Sequence, residues 1–221
     1  MSWESTVVYY QLLNRLTRAQ CGGLHSAQLL LWSFDFADIE TLQANNDWPA
    51  ATQEMIRAAQ RLEKGGAECI VICTNTMHKM ATDVANAVDI PLIHIASATA
   101  TAIQATGAKK PLLLATRYTM EQDFYKGHLA SEYGIEAIIP NDTDRSTIHD
   151  IIYTELCVGV IKDASRVKYQ AIVQRAVDAG ADSVIFGCTE VGLLLSPNDI
   201  SVTAFDTTAL HAAAALKFAL S

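Results

Sequence analysis

Apolar and polar positions follow two alternating periods along this chain. Short apolar runs bounded by Gly, Pro or polar clusters occur at Ser26–Phe34, Ala67–Cys73, Asp89–Ile95, Lys110–Ala115, Gly134–Ile139, Ala181–Phe186 and Val202–Phe205. Runs of this length read as buried parallel strands. Between them apolar residues recur every three or four positions: Val7, Val8, Tyr9, Leu12, Leu13 and Leu16, then Met55, Ile56, Ala59 and Leu62, then Ile172, Val173, Ala176 and Val177. That spacing predicts helices with one apolar face. They lie within Met1–Arg18 and over Pro49–Lys64, Met77–Ala87, Ala98–Thr106, Met120–Tyr133, Thr147–Cys157, Ser165–Ala179 and Thr207–Leu220. Asp35–Leu42 reads as a loop with one or two helical turns, Asp142–Arg145 as a turn, and Gly192–Leu195 as a short helix or loop.

Strands that alternate with helices imply an α/β fold with parallel sheets. Two strands echo each other. One runs into Cys73-Thr74-Asn75-Thr76 and the other into Cys188-Thr189-Glu190, each after a Gly that follows a helix (Gly66, Gly180). The echo, half a chain length apart, predicts two pseudo-symmetric Rossmann-like lobes. Residues 1–96 with 206–221 form the first and 97–205 the second, with the active site between them. Ligands of open α/β sheets bind beyond the carboxyl ends of strands, so a cysteine is expected on either side of one bound molecule.

Composition narrows the chemistry. The chain of 221 residues is half apolar and carries 16 basic against 24 acidic residues, a net charge of −8. With no basic run, it does not present a nucleic-acid or anionic-membrane surface. No apolar stretch approaches membrane-spanning length, and the N-terminus lacks the order of a signal peptide. Five widely spaced cysteines make a poor disulfide framework and suit a reducing, cytoplasmic setting. The six histidines show no metal spacing.

Two thiols facing one carbon acid suit stereoinversion, one removing a proton from one face while the other delivers a proton to the opposite face. The plainer alternative is a pair of core cysteines that happen to repeat. Thr74, Asn75 and Thr76, with Thr116 and Thr119 after the Lys110–Ala115 strand and Thr189 after Cys188, place short polar groups at three strand ends. They can hold a carboxylate, or simply cap helices. Lys79, Arg117, Arg166 and Lys168 are candidate partners for a second carboxylate, Arg117 foremost because it lies in a strand-end loop. Each is otherwise ordinary solvated surface. Glu190 is placed to orient a thiol or an ammonium group, and His211 to sit beside Cys188.

The strings Met1-Ser2-Trp3-Glu4-Ser5-Thr6, Cys73-Thr74-Asn75-Thr76-Met77-His78-Lys79, Thr116-Arg117-Tyr118-Thr119-Met120, Gly187-Cys188-Thr189-Glu190 and Phe205-Asp206-Thr207-Thr208 resemble the aspartate/glutamate racemase family, in its bacterial broad-specificity branch. The resemblance spans essentially the whole chain. It implies a cofactor-independent racemase, usually a homodimer, acting on a small acidic amino acid. Cys73 and Cys188 would be the acid/base pair, and Thr74, Asn75, Thr76, Thr116, Thr119, Thr189 and Gln43 would hold substrate. Family members carry a strand and a Gly-Gly loop before Met-Ser-Trp, so the first strand of lobe one is expected to be missing here. Where archaeal members hold the distal carboxylate with an arginine, this chain reads Ser33-Phe34-Asp35-Phe36-Ala37-Asp38. Other readings of the same motifs are a hydantoin racemase, a maleate isomerase, or a truncated, inactive amino-acid-binding homologue.

Overall fold

The computed structural model describes residues 1–221. Helix α1 (Trp3–Cys21) is followed by α2 (Phe36–Ala44) and α3 (Trp48–Lys64), then strand β1 (Ile70–Val71). A 3-10 turn (Thr76–Met80) leads into α4 (Ala81–Ala85), β2 (Leu92–Ile93) and α5 (Ile95–Thr106). Next come β3 (Pro111–Leu114), α6 (Arg117–Glu121), α7 (Asp123–Tyr133), α8 (Asp142–Thr154) and α9 (Asp163–Asp178). The chain closes with β4 (Ser183–Phe186), α10 (Val191–Leu194), β5 (Thr203–Asp206) and α11 (Thr207–Ala219). None of the helices is long and apolar enough to cross a membrane.

Both sheets are parallel, as the alternation predicts. In lobe one β1 pairs with β2, and in lobe two the strand order is β3-β4-β5. In lobe two Leu112, Leu113 and Leu114 lie beside Val184, Ile185 and Phe186, and all six are fully buried. They anchor a core of 28 buried residues, against nine in lobe one around Met55, Ile70, Ile72 and Met77. The second lobe is therefore the stability reservoir. Leu113→Ala is expected to cost about 2–5 kcal/mol through lost burial and a residual cavity. The check is a lower urea midpoint at unchanged slope.

Sequence and local chemistry agree at most element ends. Asp47 caps α3 by accepting from the Ala50 N–H at 3.1 Å, and Pro49 fits its first turn. Asp206 caps α11 through Thr208 and Ala209 N–H groups at 2.9 and 3.3 Å. Helix α11 then packs on both α1 and α5, tying the lobes together. Gly187 permits the turn after β4. A Cβ there would lie 2.5 Å from Leu113 Cδ1 and 3.2 Å from Ala115 Cβ.

Three expectations fail. Ser26–Phe34 is not a buried strand: none of its backbone groups pairs with other backbone, and Leu30 and Leu31 are more than half exposed. The run lies along α3, with Trp32 under the Arg61 guanidinium (4.6 Å). It has no neighbouring strand to complete its ladder, and an apolar run without a ladder does not become a strand. Gly134–Ile139 contributes only a bridge between Ile138 and Leu112. The segment Asp142–Arg145 is not a turn but the start of α8, because Asn141 caps it by accepting from the Asp144 N–H at 3.0 Å.

Candidate active site

The loops that follow β1, β3 and β4 meet where the lobes face each other, and they border a small cavity. One side is Thr74, Asn75, Thr76 and Thr116; another is Gly187, Cys188 and Glu190. The far wall is Phe36, Gln43, Ile152, Tyr153 and Cys157, and Met1 completes the boundary. Its volume is about 20 Å³, room for one or two waters but not for an amino acid. Two aromatic pairs bridge the lobes nearby. Phe36 stacks on Tyr153 at 6.3 Å, and Trp48 meets Tyr118 edge-on at 5.3 Å.

On the lobe-two side the Cys188 thiol donates to Glu190 Oε2 at 2.9 Å. The same carboxylate accepts from Thr189 Oγ1 at 2.8 Å and from Ser2 Oγ at 2.6 Å. Burial, then the nearby Glu190 charge, pushes the Cys188 thiol well above the ordinary range, so it rests protonated. Burial alone would also lift Glu190. The positive charge at Met1 and the three hydrogen bonds outweigh it and hold the carboxyl below its usual value. Glu190 thus lies within hydrogen-bond reach of the Cys188 thiol, and Thr189 supports Glu190 rather than facing the cavity.

On the lobe-one side the burial pattern alternates. Ile70, Ile72 and Thr74 are buried, whereas Val71 and Cys73 are half-buried. The chain turns tightly there, with the Thr74 N–H donating to Ile72 O at 2.7 Å, and Thr74 rather than Cys73 borders the cavity. The Cys73 thiol turns back toward Val71 O at 3.7 Å, and burial raises it to about 11. The expected Cys73–Cys188 pair is thus not brought together around the cavity. The residue that shares it with Cys188 is Thr74.

Between the two sides lie the groups suited to an amino acid's own charges. Thr76, Thr116 and Thr119 hydroxyls form a triangle with sides of 2.9, 3.1 and 3.2 Å. Three rotatable O–H groups that satisfy one another can turn to donate to a carboxylate. Asn75 Nδ2 donates to Thr207 Oγ1 at 2.9 Å, and Thr207 gives its only proton to Phe186 O at 2.8 Å. The Asn75 amide orientation is thereby fixed, and its buried Oδ1 has no partner. A buried acceptor without a partner is costly, and an ammonium group would satisfy it.

Gln43, which the resemblance implied as a substrate-holding position, lies at the cavity wall. It accepts from Tyr153 O–H at 2.8 Å and places Nε2 3.2 Å from Met77 Sδ. The cations are elsewhere. Lys79 bonds Gln122 Oε1 at 2.6 Å. Arg117 is exposed and reaches Ser146 Oγ at 3.4 Å. Arg166 pairs with Asp163 and donates to Leu194 O, and Lys168 is exposed. His211 is not beside Cys188. It accepts from or donates to Tyr9 O–H at 2.9 Å and bonds Ile93 O at 2.7 Å, locking α11 to α1 and β2. Phe36, Ile152, Tyr153 and Cys157 were not legible as site residues. Only the apolar face of the helix before Cys157 hinted that Ile152 and Tyr153 point inward.

The family model for Asp/Glu/Hydantoin racemases matches residues 1–215. The crystal structure of a candidate Asp/Glu racemase from Yersinia pestis is 52% identical, with a TM-score of 0.91 over 100% of this chain and 96% of that one. An aspartate racemase homologue from Pyrococcus horikoshii OT3 is 33% identical, with a TM-score of 0.83 over 99% and 95% of the two chains. The broad specificity amino-acid racemase RacX of Bacillus subtilis is 26% identical over 171 residues, 74% of this chain and 71% of RacX. With its parallel two-lobed fold, its strand-end site and a family match across nearly its whole length, the chain belongs to the Asp/Glu/Hydantoin racemase family of isomerases.

Proposed function

We propose that this racemase interconverts the enantiomers of a free α-amino acid without a cofactor, by moving the Cα proton between groups on opposite lobes. Cys188 acts from lobe two and the Cys73–Thr74 turn from lobe one. The observation that carries this reading is the interlobe cavity itself. It has one thiol hydrogen-bonded to a buried carboxylate on one side, and hydroxyl and amide groups suited to a carboxylate and an ammonium on the other. RacX, described as a broad specificity amino-acid racemase, supports the same class of substrate. Aspartate and glutamate are the substrates the family description names; the groups above read only what all amino acids share.

As the Cα–H bond breaks, negative charge spreads into the α-carboxylate. Donors at Thr76 and Thr116 then bind more tightly than in the ground state, which lowers the barrier. Cys188 rests as a thiol and so is the ready donor on its face. In the reverse direction the thiolate left after Cys188 has donated takes the Cα proton back, and the lobe-one group donates on the other face. Two lobe-one partners follow from the residues. The echo of motifs names Cys73. The cavity boundary favours Thr74, whose hydroxyl is a far weaker acid and leans more on the carboxylate contacts.

The test is Cα hydrogen exchange in heavy water, with metal chelated and no cofactor added. Both enantiomers of a substrate should lose their Cα–H signal while optical activity decays. Exchange that depends on added pyridoxal phosphate or metal, or no exchange with any amino acid, would overturn the proposal.

A further inference from the structure

The site loop after β1 has few backbone partners. The Thr74 N–H turns back to Ile72 O at 2.7 Å, and the Asn75 carbonyl accepts from the His78 N–H at 3.0 Å. No backbone N–H reaches the Thr74 carbonyl. Its one partner is a side chain, with His78 Nδ1 donating to it at 2.7 Å. The other ring nitrogen is also engaged. His78 Nε2 accepts at 3.0 Å from the N–H of Ile95, at the start of α5. One ring therefore joins backbone groups of two separate elements, and the two bonds together require a neutral imidazole with its proton on Nδ1. The ring is boxed in by His94 and His211, at 4.6 and 5.7 Å between centroids, and is buried. His78 does not itself border the cavity.

The two bonds have different consequences. The Ile95 bond satisfies one of the N–H groups that a helix start leaves without an intrahelical partner, which serves folding. The Thr74 bond acts on the site. The peptide unit from Thr74 to Asn75 is planar and trans, so the Asn75 N–H points away from the Thr74 oxygen. A carbonyl held by His78 fixes the direction of that N–H, which has no partner within the protein. It also fixes the course of Thr74, Asn75 and Thr76 along the cavity. Misplacing such a loop by about 1 Å costs on the order of a hundredfold in rate. Resting on the racemase reading of the same site, we infer that His78 is a positioning residue for the reaction. Its Nδ1–H holds the Thr74–Asn75 peptide in the orientation that proton transfer at Cα requires.

Two substitutions separate the bonds. An asparagine amide nitrogen takes the place of Nδ1, and a glutamine amide oxygen takes the place of Nε2. His78→Asn therefore keeps a donor for Thr74 O and gives up Ile95, whereas His78→Gln does the reverse. Heavy-water Cα exchange is followed with whichever of alanine, glutamine, aspartate and glutamate the wild-type protein turns over fastest. A urea titration of each variant runs alongside. His78→Gln should lower kcat by about thirtyfold or more, and His78→Asn should keep it within about threefold of wild type. Urea midpoints should fall in both. Rates that drop alike in the two variants, or that simply follow the urea midpoints, overturn the inference and leave the racemase reading standing. If only His78→Asn folds, a retained kcat supports the inference and a loss beyond about tenfold overturns it. Failure of both variants to fold also counts against it, because the ring then serves the fold alone. No exchange by the wild-type protein with any of the four amino acids overturns both readings.

Discussion

Cys188→Ala is expected to lower racemisation by about three orders of magnitude or more in both directions, the upper part of the range for removing a general acid or base. The thiol borders the cavity, rests protonated through burial and is aimed by Glu190. An alanine leaves one face of Cα without a proton carrier. The fold should survive, because the change removes one sulfur from a site held by Glu190, Thr189 and Ser2. The informative comparison is on the other lobe. Thr74→Ala should cost about a hundredfold or more, whereas Cys73→Ala, whose thiol faces Val71 O, should stay within about tenfold of wild type. Single-turnover Cα–deuterium exchange from each pure enantiomer reads the faces separately. A loss in Cys73→Ala as large as that in Cys188→Ala would instead establish the two-cysteine pair.

The contrast between Cys73 and Thr74 shows where sequence reading reaches its limit. Paired Cys-Thr motifs locate the two strand ends, because a short β-branched run after a helix-ending glycine permits little else. They do not say which residue of the motif looks into the cleft. That is decided by the tight turn after β1, where the Thr74 N–H bonds Ile72 O and Thr74 rather than Cys73 comes to border the cavity. Ser26–Phe34 fails for a different reason. Its composition suits a strand, but a strand exists only where a neighbour supplies its hydrogen bonds. Asn75, Thr76, Thr116 and Gln43 were readable from local motifs or from the resemblance to the family. The aromatic contacts of Phe36 with Tyr153 and of Trp48 with Tyr118 were not, because they are made by side chains that meet only after both lobes have folded. His211 was misplaced for the same reason. Its partners, Tyr9 and Ile93, come from two other elements.

Acid is expected to destabilise this protein progressively as pH falls below about 6.5. His78, His94 and His211 cluster behind the site loop, with His78 4.6 Å from His94 and 5.7 Å from His211 by ring centroid. Burial lowers all three, His94 and His211 to about 4. His78 Nε2 accepts from the Ile95 N–H at 3.0 Å while Nδ1 donates to Thr74 O at 2.7 Å, so the neutral ring is required. His128, stacked on His94 at 4.2 Å, is lowered as well. A group whose pKa is depressed on folding binds fewer protons in the native state than in the unfolded one. Its contribution is complete above the unfolded value of about 6.5 and is lost as pH falls toward the folded one. Each such histidine withdraws about 1.4 kcal/mol per pH unit in that window. His94 and His211 therefore both withdraw stability across this window. Urea titrations at pH 7.5, 6.5, 5.5 and 4.5 should show a steep fall below 6.5, and His94→Gln should flatten it by about one histidine's share. Stability that is level from pH 7.5 to 5 would remove the argument. The same protonation severs the His78 link to Ile95, so Cα exchange should fall in step with unfolding rather than with thiol titration.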